Sequence, residues 1–245
     1  VFSVLKYQED GYCRFIDFSL SDFPASREPG TLFAELAEVC DRIAWDERAR
    51  IVVLRFGADI AEPVRESGCK QASLTESVAG LKQPVIAAFE GDAIGIGLEL
   101  ALACDIRIAS ETARFGFPQI KVGQIPSHGG TQRLPRLIGP TKAMEMILTG
   151  ECIDAGEACR AGLVHRIVPS DALLDTVANL AREMSEKSPL SLRYAKEVLY
   201  SAGDLTLDQG LNKELDLYLL LFSTSDRTEG LSSFKDRRKP RFKGI

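Results

Sequence analysis

Glu99 is set among Ile94, Ile96, Leu98, Leu100, Ala101 and Leu102, a surround that is ordinarily buried and carries no charge. Burying a carboxylate without a partner is costly, and the cost is answered by a raised pKa or by hydrogen bonds to the charged form. A carboxyl held in this way can move a proton as a general acid or base. The same position also suits a half-exposed glutamate in a first helical turn, favoured there by the macrodipole. His128 is a second group that would change charge in the useful range, and it reads first as a loop histidine, solvated or bonded to backbone. His165 lies in an apolar run and reads as structural. Glu90 and Asp92 read first as turn residues and second as polar site groups.

These groups need elements to position them. Residues 84–89 (PVIAAF), 51–55 (IVVLR) and 106–109 (IRIA) are short apolar runs that predict buried strands. The Glu99 segment between two of them predicts a helix, and strand–helix–strand with continuous apolar strands is the pattern of parallel βαβ units. Residues 1–7 and 12–18 predict a hairpin around Glu9-Asp10-Gly11. Leu32, Leu36, Val39, Cys40 and Ile43 recur at helical spacing behind Thr31, which predicts a helix over about 31–45 capped by Thr31, with Trp45 serving packing. A further helix is expected over about 70–81, ending before Pro84. Residues 115–130 carry four glycines and two prolines and predict a loop. Helices are expected from Thr141 onward, over 141–148, 155–161, 171–187, 189–202 and 206–222, interrupted by a strand at 163–168.

The totals restrict the function classes. The 245 residues are 45% hydrophobic and 27% charged, enough for one large domain with an appendage. A net charge of −5 gives no general attraction to nucleic acid or anionic membrane. The six cysteines form no CxxC pair and no metal-ligand spacing, so they read as reduced core thiols. No charged-then-apolar leader opens the chain, and no apolar run approaches the ~18 residues of a membrane span. The expectation is a cytoplasmic protein with no metal.

Five motifs then occur in order: GADI at 57–60, PVIAAFEGDAIGIGLELALACDIRIA at 84–109, FGFPQIKVGQIPSHGGTQRLPRLIG at 115–139, LTGECIDAGEACRAGLVHRIVP at 148–169 and SDRTEGLSSFKDRRKPRFKG at 225–244. Together they resemble the crotonase, or enoyl-CoA hydratase/isomerase, family over nearly the whole chain after about residue 31. The resemblance implies an α/β fold: a spiral of ββα units with two roughly perpendicular sheets over residues 1–188. It implies a helical region at 189–245 that assembles a homotrimer, commonly doubled into a hexamer. The shared chemistry of the family is a thioester enolate stabilised by two backbone N–H groups, and preorganised donors in a dry site suit that task.

Carried over by position, the resemblance puts the oxyanion N–H groups on Ala58 and Ile96, and the first catalytic glutamate on Glu99. The second glutamate falls on Gln119, an amide that can orient a water or a carbonyl but cannot exchange a proton near neutral pH. His128 lies where some family isomerases place an acidic catalytic residue. Phe56, Asp59 and Ile60 fall on the coenzyme A-binding turn, with Asp59 read most simply as a helix cap. Phe234 and Arg237 match residues that approach the nucleotide of a neighbouring subunit, or complement a helix end. The chain departs from the family at Ile96, usually glycine, in a shorter loop before Gly57, and in residues 18–30.

The implied function is hydration, dehydration or isomerisation of an unsaturated acyl-CoA, with a cyclic, branched or polyunsaturated acyl group accommodating Gln119. Alternatives are thioester hydrolysis or decarboxylation on the same fold, or acyl-CoA binding without catalysis. The expected partner is the acyl-CoA itself, with no cofactor beyond its CoA thioester, no nucleic acid and no membrane.

Overall fold

The computed structural model describes residues 5–18, 29–57 and 74–245. A six-stranded sheet forms the base of the molecule in the order β1 (Lys6–Asp10), β2 (Cys13–Phe18), β3 (Ile51–Phe56), β4 (Val85–Phe89), β6 (Ile106–Ser110), β9 (Arg166–Val168). The β1–β2 hairpin is antiparallel and every later pairing is parallel. A smaller sheet joins β5 (Ala93–Ile94), β7 (Arg114–Gly116) and β8 (Cys152–Asp154).

Alternation along the strands explains why IVVLR and VIAAF are apolar throughout. Val52, Leu54, Val85, Ala87 and Phe89 enter the larger core, where helix α1 (Pro29–Ala44) adds Leu36, Val39, Cys40 and Ile43. Ile51, Val53, Ile86, Ala88 and Ile108 enter a second core on the opposite face, closed by Leu173, Val177 and Ala181 of α7 (Leu173–Ser185). A sheet covered on both faces has no polar side to its strands.

Several expectations need correction. Helix α1 begins at Pro29, so Thr31 lies inside it rather than at its cap. Trp45 is 83% exposed instead of packed; it lies in the turn just past the end of α1 at Ala44. Between 115 and 130 the chain forms β7 and a 3-10 turn at Pro118–Val122, and α4 (Gly130–Ile138) follows ahead of α5 (Pro140–Thr149). Helix α4 is masked in the sequence by the glycine pair at its start and by Pro135 inside it, both helix-breaking signals. The strand expected at 163–168 contracts to β9. The helix expected over 70–81 is seen as α2 (Leu74–Ala79), its earlier residues lying outside the described ones. Helix α10 (Ser225–Lys235) is an addition to the expected set.

The C-terminal helices α8 (Pro189–Ser201) and α9 (Leu207–Leu221) bury no residue fully. Leu207, Leu211, Leu215 and Leu219 stand exposed at four-residue spacing along α9. Among the described residues no helix is long and apolar enough to cross a membrane.

Candidate active site

Helix α3 (Ile96–Leu102) carries Glu99 and is fixed at both ends. Gly95 precedes it with φ of +62° and donates its N–H to the carbonyl of Gly116 at 2.9 Å, tying the helix start to β7. At the other end Arg107 is buried and donates to the carbonyls of Cys104 at 2.6 Å, Ala101 at 3.3 Å and Leu163 at 2.7 Å. A cation there complements the negative end of the helix. The Arg107 N–H in turn donates to His165 Nδ1 at 3.2 Å, so His165 is structural, as expected. Asp92 likewise holds a turn, accepting the N–H of Arg114 at 3.0 Å.

Glu99 is 1% exposed, which decides between its two readings in favour of the buried carboxyl. Its Oε1 accepts N–H bonds from His128 at 2.7 Å and Gly130 at 2.9 Å, at the loop-to-helix junction that opens α4. Burial pushes its pKa above the usual carboxylate value; the backbone N–H groups of Gly130, His128 and Ser127 and the charge of the His128 imidazole pull the other way, and burial wins. The approach depends on a missing side chain. A Cβ at Gly130 would lie 3.0 Å from Glu99 Oε1, 3.0 Å from the Phe117 ring and 2.8 Å from Pro126 Cβ.

Gln119 lies in the 3-10 turn and is buried, with its amide beside the start of α3: a Cβ built on Gly95 would stand 3.4 Å from its Nε2. Its Oε1 is buried without a hydrogen-bond partner among the described residues. An amide oxygen in this position can accept a hydrogen bond from a water or a ligand.

The structure therefore brings Glu99, Ile96, Gln119 and His128 together around the start of α3. Ile96 is half-buried and packs on the larger core, and it is the first residue of the helix. His128 is half-buried, and it reaches Glu99 through its backbone N–H as well as through the charge of its ring. Ala58, Asp59 and Ile60 lie outside the described residues. The side chain of Phe56 is 2% exposed and stacks on Phe89 at 4.7 Å between ring centroids, with Phe115 edge-on to Phe89 at 5.5 Å. The ring belongs to the core, so a ligand contact at Phe56 is left to its backbone. Phe234 is exposed at the end of α10 and Arg237 follows it at φ 54°, apart from the α2, α4 and β5 group packed on α3.

Sequence reasoning missed Gly130 and the residues that brace its loop, Thr75 and Arg133. The Gly129-Gly130 pair was the available signal, because a glycine just ahead of a helix permits close approach of backbone to an anion.

Among families, the one described as enoyl-CoA hydratase/isomerase matches residues 30–245. The 2,3-dehydroadipyl-CoA hydratase of Escherichia coli K12 is 39% identical over 235 residues, covering 90% of this chain and 92% of that protein. A probable enoyl-CoA hydratase of Mycobacterium bovis is 46% identical over 165 residues, an alignment spanning 67% of this chain and 64% of the relative. The crystal structure of an enoyl-CoA hydratase from Bacillus anthracis superposes with a TM-score of 0.90 at 33% identity, covering 99% of this chain and 100% of that one. With a crotonase fold, a buried carboxylate at the start of α3 and these relatives, the chain belongs to the enoyl-CoA hydratase/isomerase family and is an acyl-CoA-processing enzyme of that type.

Proposed function

We propose that the chain hydrates, dehydrates or isomerises an unsaturated acyl-CoA through an oxyanion-stabilised thioester enolate, with Glu99 as the main acid and base. The observation that carries this reading is the buried Glu99 carboxyl, whose raised pKa suits proton exchange nearer to neutrality than an ordinary carboxylate allows. The Ile96 N–H, at the first position of α3, has no partner within its own helix by construction, and with Ala58 it forms the proposed oxyanion pair. Gln119 takes no proton. Its buried oxygen, without a partner among the described residues, suits accepting a hydrogen bond from the water or hydroxyl at the reacting carbon. One carboxylate then serves both proton steps, and the acyl group is one whose geometry presents both reacting carbons to Glu99.

The assembly belongs to the same reading. Residues 1–188 form the catalytic unit and 189–245 the oligomerisation region of a homotrimer or hexamer, a reading supported by the exposed leucine row of α9, since apolar surface of that kind marks an interface. Phe234 and Arg237 would then approach the coenzyme A of a neighbouring subunit.

A panel of unsaturated and 3-hydroxyacyl-CoAs, with products identified by mass spectrometry, tests the function. Parent protein is expected to interconvert at least one enoyl thioester with its hydrate or isomer, and Glu99→Gln to lose at least about 1,000-fold in turnover. Parental rates in Glu99→Gln would sink the assignment, and release of free CoA or CO2 would move the reaction to hydrolysis or decarboxylation.

A further inference from the structure

The loop that holds Glu99 is itself gripped from behind. In the run His128-Gly129-Gly130 the first and third N–H groups converge on Glu99 Oε1, while the carbonyl of His128, which lies between them along the backbone, is bonded elsewhere. That carbonyl accepts from Thr75 Oγ1 at 2.7 Å and from Arg133 Nη1 at 3.1 Å, and Arg133 Nη1 also donates to Thr75 Oγ1 at 2.9 Å. Three groups from α2, the loop and α4 thus close a small ring on one peptide oxygen. Thr75 is fully buried. Gly129 makes room for the guanidinium: its φ is +98°, and a Cβ there would lie 2.4 Å from Arg133 Nη1.

The His128 carbonyl sits between the two donors, and holding it fixes ψ of His128 and φ of Gly129, the torsions that set the His128 N–H and the Gly130 N–H relative to each other. Successive N–H groups of this kind make an anion-holding concavity only while the carbonyl between them points outward. We propose that Arg133, acting through Thr75 and the His128 carbonyl, is a positioning residue that keeps the His128 and Gly130 N–H groups aimed at Glu99. Its bonds go to the Thr75 hydroxyl and the His128 carbonyl, and it acts on Glu99 through them. The inference rests on the reading of Glu99 as the proton carrier, and its consequence is that part of the acid–base competence of Glu99 is set from α4.

Among the described residues, the charged and titratable groups on the elements packed against Glu99 are the His128 imidazole on the loop, Arg133 and Arg136 on α4 and the exposed Glu76 on α2; α3 itself and β5 bring no other. The test titrates the Glu99 carboxyl directly, by carbon NMR on full-length protein labelled at the glutamate carboxyl carbons. The Glu99→Gln spectrum assigns the signal, and His128→Gln serves as a second background that removes the neighbouring imidazole. Loss of the clamp loosens N–H bonds that stabilise the ionised form, so in Arg133→Met the midpoint is expected to rise by at least about half a pH unit. Thr75→Val is expected to act in the same direction, with Thr75→Ser and Arg133→Lys returning toward the parent. A folded Arg133→Met or Thr75→Val protein whose midpoint stays within about 0.2 unit of the parent overturns the proposal, whatever happens to its melting temperature. Thr75→Val decides the matter if Arg133→Met does not fold. Parental turnover in Glu99→Gln would instead remove the proton-carrier reading while leaving the titration result to stand by itself.

Discussion

The junction where α3 meets α4 and the 3-10 turn at Pro118–Val122 treat their buried polar groups in opposite ways. At the junction an anionic oxygen receives N–H bonds from His128 and Gly130, and the backbone that supplies them is braced in turn by Thr75 and Arg133. At the 3-10 turn a neutral amide oxygen on Gln119 is buried with nothing to accept from among the described residues. The first region holds its carboxyl through backbone donors supplied at the start of α4; the second offers a neutral acceptor. That contrast divides the proposed work, with Glu99 transferring protons and Gln119 orienting the group that gives or receives them.

The comparison breaks most sharply at Gly130. A methyl group there meets Glu99 Oε1, Phe117 and Pro126 at 3.0 Å or closer, so Gly130→Ala is expected to displace the carboxylate and lower kcat by about 100-fold, the scale of an ångström-level misplacement of a catalytic group. Parental steady-state rates in that variant would show that the junction tolerates a shifted Glu99. At the other region, Gln119→Glu supplies a second carboxylate and is expected to raise hydration of crotonyl-CoA by about 10-fold. No gain would mean that the surroundings of Gln119 have diverged along with the residue.

The smallest effect concerns stability. Burial holds the Glu99 carboxyl above its unfolded value, so the folded chain binds that proton more tightly than the unfolded chain does. The contribution to stability is present in full below the unfolded pKa and is lost as pH rises through the folded one. Glutamine keeps an oxygen that can accept the same N–H bonds without the charge. Glu99→Gln is therefore expected to melt about 2–4 °C higher than the parent at pH 8, an advantage that shrinks toward pH 4. Equal melting at both pH values would place the carboxyl in a better solvated setting than the fold gives it.

Much of this was legible in the chain. Continuous apolar strands announced a sheet covered on both faces, and the lone charge at Glu99 among leucines and isoleucines announced a buried carboxyl. What stayed hidden depends on contacts between residues far apart in sequence. Nothing near Thr75 indicates that its hydroxyl will meet a carbonyl 53 residues later. Helix α4 was concealed because its glycines and Pro135 are local helix breakers, whereas tertiary contact with Glu99 and the core at Leu134 pays for the irregular start. Phe56 was placed in the site by the family resemblance, and alternation along β3 turns its ring into the core, leaving its backbone for any ligand contact.

The central claim is that one buried carboxylate, and not the imidazole beside it, carries the proton. The pH dependence of kcat/KM, measured in the parent and in His128→Gln, tests it most directly. Both proteins are expected to show an acid limb governed by a single ionisation above the ordinary carboxylate range, the sign that burial imposes on Glu99. An acid limb that disappears in His128→Gln, or one that falls at the ordinary carboxylate value in both proteins, would contradict the account.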